Sequence, residues 1–422
     1  MFHKTRFKNI IGSLLATSVV LIGTSCNRST STTVYVEDAT AQISTLSTSS
    51  AQAENEYLIK RNGLAYIDES FQKTYNIEIV KEISTLGIEL IKLNDPSTLD
   101  KLKSDTRLAF VEPNYIRKLN VVIPQNPNTS SRSYSKKIGL SQASSITQGK
   151  SFLTVAIVGT GVDLNHPDLK DKLVTGFSVY GNTVNDIQGS GTHQAGVIVA
   201  SNSTYGIEGV APNCKIMPIK VMSDTGEATD ADLIEGTAWA VAHGANVVTL
   251  TVEGSNSSKA IDSLVEYAFN KNVPIVVGSG DNSLGSETYP AATKGVISVS
   301  ATDSSDALAS FSNHGKWISV SAPGKEISST TPIKTFSLSK KGVPANYAIL
   351  SGTWISAAYV AGSIALIKSK YPTLDMVSLR KHLENTTDDL GTKGYDEDFG
   401  YGRLNLAKSL LTIPTSLQKK VK

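Results

Sequence analysis

The sequence predicts an α/β protein: an open, mainly parallel sheet with helices on both faces, preceded by a small ferredoxin-like α+β unit. Three observations carry this. Across 136–412, apolar runs of four to seven residues alternate with helical patterns, as buried parallel strands joined by crossover helices do. Across 55–122, the elements read β-α-β-β-α-β. Finally, Asn346–Gly362 passes from an extended stretch through a tight Ser-Gly-Thr turn into a long apolar helix. That layout sets one side chain at a helix N-terminus facing a cleft.

Length and composition bound the rest. With 422 residues, 40% hydrophobic and 18% charged, the chain is long enough for two or three units with a sizeable core. A formal charge of +2 supplies no basic field for nucleic acid, and such partners are set aside. Two cysteines cannot make a disulfide framework; Cys214, in Ala-Pro-Asn-Cys-Lys, reads as a small buried thiol.

Residues 1–26 read as an export segment. Lys4, Arg6 and Lys8 precede the apolar run Ile10–Gly23, which is short for a membrane span. Thr24-Ser25-Cys26 is similar to a bacterial lipobox with Cys26 as the acylated residue, although Gly23 stands where Leu is usual. An ordinary signal peptide cut nearby is the other reading, so the chain is expected to be an envelope lipoprotein or a secreted protein. Residues 27–54, rich in Ser, Thr, Ala and Gln, read as a flexible tether.

In the first folded unit, 55–122, strands are expected at Glu56–Asn62, Ile77–Ile83, Gly87–Leu93 and Leu108–Lys118. Helices are expected at Asp68–Tyr75 and from Asp95-Pro96-Ser97 to Lys103. A linker covers 123–135. In the main domain, 136–412, buried strands are expected at Leu153–Val158, Lys215–Val221, Asn246–Val252, Pro274–Val277 and Val296–Ser300. Thr229–His243 and Ser257–Asn272 read as helices, the first capped by Thr229 or Asp230, and 413–422 is a tail.

Nine segments in order carry a family resemblance. They are VAIVGTGVDLNHPDL (155–169), GSGTHQAG (189–196), GVAPNCKIMPIKV (209–221), ANVVTLTVEGS (245–255) and PIVVGSGDN (274–282). YPAAT (289–293), ASFSNHGKWISVSAPGKEISST (309–330), the 352–362 turn and helix, and FGYGRLN (399–405) complete the set. Together they resemble the subtilisin-like serine peptidases, peptidase family S8. The unit at 55–122 is similar to that family's inhibitory propeptide (inhibitor I9-like), whose tail lies in the active-site cleft until it is cut. The resemblance therefore implies that this chain's own propeptide-like unit occupies its cleft, with peptides or proteins as further partners.

Serine-peptidase chemistry needs a nucleophile, an imidazole base, an orienting carboxylate and oxyanion donors. At the matching positions this chain has Trp354 for the serine, Ser190 for the histidine, Gly159 for the aspartate and Asp281 for the oxyanion asparagine. An ionised Asp281 would repel an oxyanion, and Trp354 would plug or pack the space before the helix. His193 matches the motif's second, non-catalytic histidine. The expected cleft wall is Thr251, Val252, Glu253 and Gly254 with Ser279 and Gly280, Glu253 replacing a glycine that receives substrate backbone. Ser356, about 200° further round the helix, points away. Asp168 matches a position that often helps bind calcium; the loop 201–207 would have to supply the remaining ligands, and its Ser203 is a poor substitute for the usual Asn, so no cofactor is expected.

These residues lead to the expectation of an inactive homologue: an envelope-anchored pseudopeptidase serving as a peptide- or protein-binding scaffold. An active subtilisin-like serine endopeptidase is the alternative, and a structural envelope lipoprotein the second alternative.

Overall fold

The fold begins with a strand that reaches back into the expected tether. In the computed structural model, which describes residues 51–63, 67–125, 133–181, 183–201 and 207–418, strand β1 covers Gln52–Arg61. It is followed by α1 (Glu69–Tyr75), β2 (Ile77–Ile83), β3 (Ile88–Leu93), α2 (Leu99–Lys103) and β4 (Leu108–Lys118). A single 3-10 turn at Pro96–Thr98 precedes α2, so the expected second helix is split. The four strands form an antiparallel sheet in the order β2-β3-β1-β4. Alternation along β1 decides the layers. Tyr57 and Ile59 pack with Phe71, Ile91 and Leu102 under the unit's own helices. Leu58 on the opposite face packs with Ile88, Leu90 and residues of the main domain.

The main domain starts with α3 (Ser133–Lys137), α4 (Leu140–Ile146) and β5 (Thr154–Gly159). Then come β6 (Phe177–Ser178), α5 (Ser190–Val199), β7 (Lys215–Lys220), β8 (Glu227–Thr229), α6 (Asp230–Ala242) and β9 (Val247–Leu250). Next are α7 (Lys259–Asn270), β10 (Ile275–Gly278), β11 (Ile297–Thr302), β12 (Val320–Pro323), β13 (Ile327–Thr330) and β14 (Tyr347–Leu350). The chain continues through α8 (Thr353–Lys370), α9 (Met376–Asn385), α10 (Leu406–Leu411) and α11 (Thr415–Gln418). Seven strands form a parallel sheet in the order β12-β11-β10-β9-β5-β7-β6.

Period-2 alternation in β5 again sorts the two faces. Val155 and Ile157 pack with Ala361, Leu366 and Ile198, placing α5 and α8 on one side. Ala156 and Val158 pack with Ile234 and Leu264, placing α6 and α7 on the other. Helix α8 is buried along nearly its whole length, which its small residues permit. At Gly362 a Cβ would lie 2.9 Å from Val210 Cβ. No described helix is long and apolar enough to cross a membrane.

Strand β4 also pairs with β8, from Ile116↔Thr229 to Lys118↔Glu227, so that β8 from the main domain adds a fifth strand to the first sheet. Polar side chains of β4 also serve the helices below it. The Glu112 carboxylate accepts from Ser258 Oγ (2.7 Å) and the N–H groups of Lys259 and Ala260 (2.9 Å each) at the start of α7. Asn114 Oδ1 accepts the Ala231 N–H at the start of α6. Carbonyl and carboxylate acceptors at a helix N-terminus satisfy donors that have no intrahelical partner and meet the positive end of the dipole. Arg117 makes a two-pronged ion pair with Asp230, at 2.7 and 2.8 Å, and both side chains are buried.

Candidate active-site cleft

The site lies where the central strands end, since ligands of open parallel sheets collect at the carboxyl edge. Gly159 closes β5, Thr251–Gly254 follow β9, and Ser279–Asp281 follow β10. Helices α5 and α8 start at the same edge, with Ser190 and Trp354 in their first turns. The sequence-predicted positions are thus brought to one end of the sheet.

Each has a definite neighbour. A Cβ on Gly159 would meet Thr251 Oγ1 at 2.4 Å, so any side chain there competes with Thr251. Thr251 Oγ1 donates to the Val158 carbonyl at 3.2 Å. The Ser190 N–H donates to Gln188 Oε1 (2.8 Å), while its hydroxyl is buried and has no partner among the described residues. Trp354 is only 2% exposed. Its indole stands edge-on to His193 at 5.5 Å and folds back over Gly352, where a Cβ would lie 2.0 Å from Nε1. The ring is therefore a packed wall of the cleft.

His193 holds Ile327 O at 3.1 Å, and burial lowers its pKa to about 4, leaving the imidazole neutral. Ser356 donates to the Ala322 and Pro323 carbonyls (3.0 and 3.2 Å), away from the cleft. Asp163 is held by the Asn165 and Ile333 N–H groups.

The cleft's acidic pair sits on the side of α8. Glu253 Oε2 accepts the Asp281 N–H at 3.0 Å, and Asp281 Oδ1 accepts the Thr353 N–H at 2.7 Å. Burial, together with the neighbouring Glu253 charge, pushes the Asp281 carboxyl well above its ordinary range. Burial also raises Glu253, but the Asp281 N–H and the Asn282 and Asn120 side chains oppose that rise. Both carboxyls are thus shifted upward, and the donors around Glu253 leave the rise stronger at Asp281. The expected repulsion of an oxyanion belongs to the ionised form of Asp281; the upward shift favours the protonated form, which can donate a hydrogen bond to a carbonyl oxygen. Beside it, Glu253 can accept a proton, so the two supply general acid and base capacity.

Two expected wall residues stand elsewhere. Ser279 is buried and donates to Asn313 O at 2.8 Å. Gly254 makes room for Arg117, whose Nη1 would lie 2.8 Å from a Cβ there. Asp168 accepts the Tyr347 phenol at 2.9 Å, and the described residues contain no group of three or more His, Cys, Asp or Glu able to hold a metal. Ser203 and Cys26 lie outside the described residues.

A stretch of the chain itself crosses the cleft. Lys118 and Glu253 exchange both backbone hydrogen bonds (3.0 and 2.8 Å), and the Leu119 N–H donates to Gly226 O at 2.9 Å. Beyond the bend, Val122 and Ser351 exchange both bonds at 3.2 and 2.9 Å. Glu253 thus keeps the backbone role of the glycine it replaces and turns its carboxylate inward. Leu119 and Asn120 line the same pocket as Thr353 and Trp354. Sequence reasoning missed the part played by Asn120, whose side chain donates to Glu253 Oε1 and, at 3.1 Å, to Asn282 Oδ1. A lone Asn opening a Pro- and Ser-rich connector carries no signal of such a contact.

Comparison with known proteins agrees with this architecture. The subtilase family model matches residues 150–402. Thermitase of Thermoactinomyces vulgaris is 36% identical over 292 residues, covering 68% of this chain and 99% of its own. An alkaline protease of Alkalihalobacillus alcalophilus is 29% identical and covers 86% of this chain and 93% of its own. The crystal structure of fervidolysin from Fervidobacterium pennivorans, a keratinolytic enzyme related to subtilisin, superposes with a TM-score of 0.77 at 30% identity. That match covers 86% of this chain, which spans 62% of the fervidolysin chain. These names overturn the expectation of an inactive homologue serving as a binding scaffold, because relatives spanning most of the chain are proteases by name. Sheet order, the helix-bearing edge and the matched segments converge on one conclusion: this chain belongs to the subtilase family.

Proposed function

We propose that this protein is an exported subtilisin-like endopeptidase that hydrolyses polypeptide chains bound in extended form. The observation that carries the reading is the seating of Lys118–Val122, paired through its backbone to Glu253 on one side and Ser351 on the other. A cleft that holds main chain in this way takes polypeptide of varied sequence, since backbone groups are common to all. The protease names of the relatives supply the reaction class. Around the bound strand, Asp281 in the protonated form that its upward shift favours and the start of α8 can polarise a carbonyl, and Glu253 can take up a proton. The N-terminal segment supports export, with anchoring through Cys26 or release as the two destinations.

The test is turnover of a quenched fluorogenic peptide with the sequence of Ile116–Pro124, alongside a fluorophosphonate probe. Hydrolysis with labelling assigns a serine such as Ser190 as nucleophile. Hydrolysis without labelling assigns attack by water. Absence of both hydrolysis and labelling in the wild type would overturn the reading.

A further inference from the structure

We infer that Glu253 and Asn282 form a subsite for a carboxamide side chain, so that the cleft selects polypeptides with asparagine at the position Asn120 occupies. The inference rests on the polypeptide-binding reading above. Its first support is complementarity. A carboxamide NH2 has two hydrogens, and Asn120 Nδ2 meets two acceptors, Glu253 Oε1 and Asn282 Oδ1.

Its second support is that the acceptors are built in. Glu253 Oε2 is taken by the Asp281 N–H, which leaves Oε1 aimed at the strand. Glu253 is 8% exposed, so its carboxylate is withdrawn from water and acts more strongly on a partner. Gly280 leaves the room this requires: a Cβ there would lie 2.4 Å from Glu253 Oε2 and 2.3 Å from Asn313 Nδ2. Asn282 is fixed in turn, its N–H donating to Asn313 Oδ1 at 3.1 Å.

Its third support is register. The paired bonds at Lys118 and Val122 bracket Asn120 and fix where its side chain enters. An aspartate would set a second negative charge against Glu253, and a leucine would take from Glu253 Oε1 the donor it has in Asn120; both are costly at a buried group.

The experiment uses the full chain with its own strand as probe. Hydrogen exchange is followed at the Lys118, Leu119 and Val122 amides in wild type, Asn120→Asp, Asn120→Leu and Asn120→Asp combined with Glu253→Gln. The expected result is exchange faster by about tenfold or more in both single variants. In the double variant, protection returns towards the wild-type value, since the new amide can donate to the new carboxylate. Unchanged exchange in the single variants, or a loss that Glu253→Gln does not repair, would overturn the subsite. Exchange reads occupancy of the cleft and not bond cleavage, so this outcome is independent of whether the peptide above is hydrolysed.

Discussion

Glu253 divides its carboxylate between two partners: Oε2 takes the Asp281 N–H, and Oε1 takes the Asn120 side chain that lies across the cleft. One oxygen is fixed by the sheet edge and the other by the bound strand, so cleft chemistry and strand binding share a single charged group.

The first prediction concerns pH. Burial and Glu253 raise the folded-state pKa of Asp281 above its ordinary value of 3.8. Between those two values the folded chain binds more protons than the unfolded chain, so stability falls as pH rises through that window and levels off above it. Asp281→Asn keeps an acceptor for the Thr353 N–H and cannot ionise. Denaturant unfolding at a series of pH values should show a smaller decline in the variant than in wild type.

The second concerns the joint between the N-terminal unit and the main domain. Arg117→Ala strands Asp230, which is fully buried. Loss of one partner from a buried pair costs about 3–5 kcal/mol. Urea unfolding should register that loss, and removal of both side chains together should cost less than the sum of the single losses.

Gly280 supplies the third. It has φ +110°, a region side chains rarely adopt, and Cβ contacts of 2.3 and 2.4 Å await any substitution. Gly280→Ala should destabilise the fold by more than about 1 kcal/mol. It should also accelerate amide exchange at Lys118, because the displaced group is Glu253.

The fourth tests Trp354 as a packed wall. Trp354→Ala removes a ring that is 2% exposed and packs against His193. Thermal or urea denaturation should show a loss of about 3–5 kcal/mol.

Much of the fold was legible because its periodicities are local. Alternation marked β2 at its observed bounds, β4 was expected over the residues it covers, and of the two capping candidates offered for α6 the structure uses Thr229. Less was legible where a short strand has little pattern of its own: β6 has two residues, and β12 lies in a Ser- and Pro-containing run. At the site, position along the chain located Gly159, Ser190, Trp354 and Asp281 at one sheet edge. The upward shift of the Asp281 carboxyl was not legible, because it arises from burial and from Glu253, 28 residues away in sequence and within hydrogen-bond distance in space. The chemistry inferred from those four residues alone gave an inactive protein, and the protease relatives correct it.

The most direct measurement is the intact mass of the purified full chain followed over time. The account predicts a cut within Lys118–Val122, the stretch paired across the cleft, yielding two fragments whose masses sum to the chain plus one water. A chain that stays whole under all conditions, while the Lys118 and Val122 amides remain protected, would contradict it.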